Sequence, residues 1–127
     1  MSIKRDAADV WFSKAVRARD GGCMYCGLTE TNECAHIYGR RNKAVRWSLD
    51  NAVTLCHHHH RMFTESPCHF VSWLESLYGE AHMEILREKS QAIFKTTKQI
   101  RAEIAKHYRD QVRAHEQDPA FTFTSYN

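Results

Sequence analysis

Two ligand pairs with the same internal gap mark this 127-residue chain: Cys23-x2-Cys26 and, with 29 residues between them, Cys56-x2-His59. A turn of this kind sets two soft or borderline donors on one side of the backbone, and two such turns close a tetrahedral zinc site. Four protein ligands leave no open position, so the predicted zinc is structural. One imidazole of His57-His58-His59-His60 completes the set, and His59 repeats the spacing of the first pair. Cys34 and Cys68 are left as free thiols. Metal-binding thiols belong to a reducing compartment. With the charged stretch Met1–Asp20 and no apolar run of about 18 residues, they predict a cytoplasmic chain without a membrane span.

The net charge of +3 says little about partners; its distribution says more. From His36 to Arg61 there are five cations (Arg40, Arg41, Lys43, Arg46, Arg61) against one acid, Asp50, whereas eight cations and nine acids follow Arg61. A basic block beside a metal-ligand cluster predicts a polyanionic partner.

These groups must be positioned by short elements. Asp6 to Asp20 reads as an amphipathic helix ended by Gly21-Gly22. Cys23 to Gly27 forms a tight turn whose glycine permits positive φ. His36–Tyr38 and Ala52–Leu55 read as the strands of a hairpin with a long basic connection, followed by a short helix His57–Glu65. Ser66-Pro67 predicts an N-cap and first helical position, with the helix running to Tyr78 before Gly79. Glu80 to about Gln117 lacks glycine and proline. Its stripe Leu86, Ile93, Ile100, Ile104, Tyr108 and Val112 offers core or a homodimer surface, weakened in its middle by Thr96-Thr97. The tail 118–127 alternates phenylalanine with threonine and reads as a strand, a dimer arm or disorder.

Taken in order, His36, Asn51 and Leu55-Cys56-x2-His59-His60 resemble the HNH (ββα-metal) endonucleases that carry a structural zinc. His59 stands where many members have a second cysteine. The segment His36-Ile-Tyr-Gly-Arg40-Arg41 with Val45-Arg46-Trp47-x3-Asn51 is similar to phage-encoded members. Phe70-x2-Trp73-Leu74-x3-Tyr78-Gly79 is faintly similar to the NinG (Rap) recombination nucleases. The resemblance implies an α+β, mostly helical fold within one domain, 1–127. Its ββα-metal core covers about 20–66, a helical extension about 67–117, and the tail 118–127. It implies DNA hydrolysis leaving 5′-phosphate and 3′-hydroxyl ends, in the host cytoplasm if the chain is phage-encoded. His36 would be the general base, since a neutral imidazole takes a proton near pH 7. His60 would bind the catalytic Mg²⁺ or Mn²⁺, and Asn51 would fix the orientation of His36 across the loop. Arg40, Arg41 and Arg46 would clamp phosphate oxygens. Most members carry a further metal ligand just before the base, where this chain has Ala35. Another ligand, one helical turn after His60, falls at Thr64. Glu65, Glu33 or Asp50 would have to contribute instead. The missing ligand leaves alternatives: a non-catalytic zinc module binding nucleic acid or protein, or a nuclease for branched DNA or RNA.

Overall fold

The computed structural model describes residues 4–127; residues 1–3, where the charged N-terminal stretch and the 1–127 domain begin, lie outside the described residues. Asp6 opens α1 (Ala7–Asp20) with a reciprocal pair of bonds. Its carboxylate accepts the Asp9 N–H at 3.1 Å and the Asp9 carboxylate accepts the Asp6 N–H at 3.0 Å, satisfying two donors that have no partner within the helix. Gly21, at φ 73°, closes the helix in the left-handed conformation.

β1 (Asn32–His36) pairs antiparallel with β2 (Ala52–Cys56), from Asn32 opposite Cys56 to His36 opposite Ala52. The expected first strand, His36–Tyr38, is therefore displaced toward the N-terminus. Ile37 keeps one bond to the partner segment, donating its N–H to Asn51 O at 2.8 Å. At Tyr38 the Asn51 side chain replaces the ladder, because Leu49–Asn51 turns as a short 3-10 helix there. Every residue of β2 is buried, and its side chains divide between two cores. Ala52 joins Phe12, Val16 and Trp47, and Thr54 donates its hydroxyl to Val16 O at 3.2 Å, whereas Val53 and Leu55 join Phe63 and Leu74.

α2 (His57–Glu65), α3 (Pro67–Tyr78), α4 (Glu80–Ser90) and α5 (Lys98–Gln117) follow. The Ser66 hydroxyl makes no capping bond, so Pro67 alone marks that start. The single helical run expected over 80–117 is two helices. Thr97 accepts the Ile100 N–H on its hydroxyl at 3.1 Å and starts a new helix, which is what a threonine side chain competing for backbone donors does. Ile93 falls in the break and is 88% exposed.

Ile104, Tyr108 and Val112 of α5 bury against Ala8, Phe12 and Val16 of α1. Of the two readings of the stripe, core or homodimer surface, its α5 part is core. The tail is none of the three forms expected. It folds back: Phe123 and Tyr126 pack on this core, Tyr126 N–H donates to the Tyr108 hydroxyl at 3.0 Å, and Asn127 donates to Ala44 O at 3.0 Å. The fold class, α+β and mostly helical, is as the sequence implied. Among the described residues no helix is long and apolar enough to cross a membrane.

Candidate metal centre and catalytic cleft

Cys23 and Cys26 come from the turn after α1, Cys56 ends β2, and His59 sits in the first turn of α2. Their donor atoms, three Sγ and one imidazole nitrogen, lie within 4.8 Å of one another, the one such cluster among the described residues. The Cys26 and Cys56 sulfurs are 3.9 Å apart, and His59 Nδ1 lies 3.9 Å from Cys23 Sγ and 3.2 Å from Cys56 Sγ. Zn–S bonds of about 2.3 Å on a tetrahedron place sulfurs about 3.8 Å apart, so the donor set and its spacing fit zinc. Burial would raise the Cys23 thiol, but the main-chain N–H groups of Cys56, Cys26 and Tyr25 bring it down to about 6. At Cys23 the turn thus favours the thiolate that a metal requires. Gly27, at φ 81°, lets the turn close, and the Tyr25 ring lies 4.5 Å from that of His59. Cys34 and Cys68 stay outside the cluster.

His36 lies on the face of the hairpin that meets α1, its ring 5.6 Å from Phe12. His60 comes from α2, on the other face. β1 is an edge strand with no partner on its outer side, so side chains from both faces reach around it. His36 and His60 line one open cleft of about 620 Å³, together with Asn32, Glu33, Cys34, Arg40, Arg5 just before α1 and Arg17 on α1. They also share a smaller recess of about 170 Å³ floored by Ala35 and Phe63. The two imidazoles are therefore brought to one void.

The His36 ring is held by the backbone. Its Nε2 sits 3.2 Å from the Arg46 carbonyl; an Nε2–H donating there leaves Nδ1 with the lone pair. Burial drives its pKa down to about 4, with the Arg40 and Arg46 charges adding to the fall. It is neutral throughout the physiological range. The unfolded chain takes up a proton below about pH 6.5 and the folded chain resists until about pH 4, so folding is weakened as pH falls through that window. The expected loss from this group is about 3 kcal/mol, complete near pH 4 and absent above pH 7. Urea unfolding at pH 7.5 and pH 5 reads the part developed by pH 5, about 2 kcal/mol, and His36→Gln should flatten the difference relative to wild type.

Asn51 is fully buried. It accepts the Tyr38 N–H at 2.8 Å and donates to Tyr38 O at 2.9 Å. It does not bond the His36 ring; it clamps the chain two residues beyond it.

Of the three arginines expected to clamp phosphate, Arg40 lines the cleft and Arg41 is exposed outside it. Arg46 is corrected outright. It is 4% exposed, forked onto Asp9 at 2.9 and 2.6 Å, and stacked over Trp47 at 4.8 Å. Asp9 also accepts the Trp47 indole N–H at 3.1 Å. Burial opposes its ionisation, yet the bonds and charge of Arg46 hold its carboxyl below the usual range. Removing one partner of a buried pair strands the other, at about 3–5 kcal/mol. Asp9→Ala is expected to lose that much in chemical denaturation, and a loss under about 1 kcal/mol, the scale of an exposed pair, would contradict the assignment.

The sequence reading missed Arg5 and Arg17 as cleft residues. Their charges were visible, but only the docking of α1 onto the hairpin aims them there. Glu33 was weighed merely as one of three substitutes for Ala35. Its Oε1 lies 2.8 Å from His60 Nδ1 and its Oε2 lies 2.9 Å from His57 Nδ1. The other two substitutes sit elsewhere: Glu65 pairs with Arg61 at 3.3 Å and Asp50 with Lys89 at 3.2 Å, and neither lines the cleft.

Residues 23–71 match the family model of the HNH endonucleases. The match spans both ligand pairs, the hairpin, α2 and the start of α3, and leaves α1, most of α3, α4, α5 and the tail outside it. No curated protein and no solved structure matches the chain. With a zinc-fitting Cys3His cluster beneath a two-stranded hairpin and helix, the segment 23–71 is similar to the HNH endonucleases.

Proposed function

We propose that the chain is a divalent-metal-dependent endonuclease that hydrolyses DNA phosphodiester bonds, residues 1–127 working as one domain in a reducing, cytoplasmic setting. One observation supports it above the rest: His36 and His60 line the same cleft, walled by Arg5, Arg17 and Arg40. His60, with solvent water completing the coordination, would hold a Mg²⁺ or Mn²⁺ ion, which would neutralise charge on the scissile phosphate and the departing oxygen. His36 Nδ1 takes the proton of the attacking water as the water oxygen bonds to phosphorus and the bond to the 3′ oxygen breaks. The departing 3′ oxygen takes a proton from solvent, leaving a 5′-phosphate and a 3′-hydroxyl.

The low proton affinity of His36 in the free cleft rises when an anionic phosphate sits beside it, because a nearby negative charge favours the protonated ring. Arg5, Arg17 and Arg40 hold phosphate oxygens without reading bases. Arg46 has no part in this, and its carbonyl, not its charge, serves the site.

A supercoiled plasmid incubated with the zinc-loaded chain in Mg²⁺, Mn²⁺, Ni²⁺ or Zn²⁺ tests the reading. Open circles that appear with one of these ions and vanish on chelation are expected. Salt-sensitive DNA binding with no strand breaks in any ion would instead leave a zinc module that binds nucleic acid. Linear duplex, four-way junction and RNA substrates, compared side by side, set the substrate class.

A further inference from the structure

We propose that Glu33 is the positioning residue of the catalytic-cation site: its Oε1 accepts the Nδ1–H of His60, so that the Nε2 lone pair of His60 is the one presented to the ion. This rests on the nuclease reading for the ion's purpose, though not for the geometry. A site with one imidazole in place of several ligands depends on that ring standing in the right rotamer and tautomer. An imidazole free in solution exchanges its proton between both nitrogens; a carboxylate on one nitrogen ends the exchange and raises the donor strength of the other.

The arrangement follows from the hairpin. Glu33 and Ala35 are two apart on β1 and share the face that meets α2. At 35 the chain has a methyl group, buried against Phe63 and 1% exposed, that can hold nothing. One pleat earlier on the same face, Glu33 reaches the first turn of α2, its side chain 40% exposed and its Oε1 2.8 Å from His60 Nδ1. Glu33 also lines the cleft that holds His36 and His60. The second carboxylate oxygen is engaged by His57 Nδ1 at 2.9 Å. With an imidazole on each oxygen, rotation of the carboxylate away from His60 would break two bonds. His57 is thus a brace on Glu33, three residues from His60 on the same helical face.

The test uses the full chain, zinc-loaded and free of DNA, at pH 8 where imidazoles are neutral. Nitrogen-15 spectra of labelled histidines are expected to show His60 as the Nδ1–H tautomer in wild type. Glu33→Ala should return it to a mixture, and Glu33→Gln, which keeps an acceptor, should preserve it. Mn²⁺ alone, titrated by electron paramagnetic resonance, should bind about 10–100-fold more weakly to Glu33→Ala, with zinc content unchanged and Glu33→Gln in between. An Nε2–H tautomer in wild type would overturn the proposal. So would a loss of Mn²⁺ affinity with no change of tautomer, since that would make Glu33 a ligand itself. Neither readout needs cleavage, so a chain that cuts nothing but shows the expected tautomer and Mn²⁺ binding would sink the nuclease reading and leave Glu33 in place.

Discussion

His36→Ala should reduce plasmid nicking by about 10²–10⁴-fold, the usual contribution of a positioned general base, while zinc content and DNA affinity stay close to wild type. The expectation follows from the ring's setting: Nε2 is occupied by the Arg46 carbonyl and Nδ1 is left as the acceptor. The loss should fall on kcat rather than KM, because the base acts only as the water attacks. His36→Gln keeps more of the packing on Phe12 and should be as inactive, which separates lost chemistry from lost stability. Cleavage within about tenfold of wild type in both variants, less than a positioned base supplies, would remove His36 as the base.

Stripping the zinc should have the larger effect on structure. Structural zinc sites supply about 10–16 kcal/mol of apparent binding free energy, against a net stability of about 5–15 kcal/mol for a whole domain. Here the four donors tie the turn after α1, the end of β2 and the start of α2 to one point. Chelation, or Cys56→Ser, is expected to abolish amide-exchange protection in β1, β2 and α2, while the α1–α5 core, built on Phe12, Ile104 and Tyr108, keeps part of its own. Nicking should disappear with the hairpin and should not return on adding Mg²⁺. Full protection in β2 after the zinc is gone would show that the second core stands without it.

The Cys3His cluster was legible because its information is local: paired donors at fixed gaps need only a turn to converge. The helix ends were legible for the same reason, at Asp6, Gly21, Pro67 and Gly79. β1 was misplaced because Asn32-Glu33-Cys34-Ala35 has no apolar alternation. It is recruited by β2, which is buried on both faces and needs a partner for its backbone. Arg46 misled because a cation in a basic loop looks solvated, and its carboxylate lies 37 residues away on α1. Arg5 and Arg17 escaped for the complementary reason: helix docking is a tertiary event that no spacing within 23–60 encodes. Of the long C-terminal stripe, Ile104, Tyr108 and Val112 pack on α1, whereas Ile93 falls in the break between α4 and α5.

The acceptor that holds the His36 ring is a main-chain carbonyl in the 37–51 connection, and that connection is pinned from behind by the Arg46–Asp9 fork, the Tyr108–Trp47 bond and the returning tail. The geometry proposed for proton transfer is thus set by contacts of the 37–51 connection rather than by β1 itself. Warming that frees this connection ahead of the helices would silence the ring before the molecule melts. The temperature limit for turnover would then lie below the melting point and would move with substitutions in the returning tail that pins the connection.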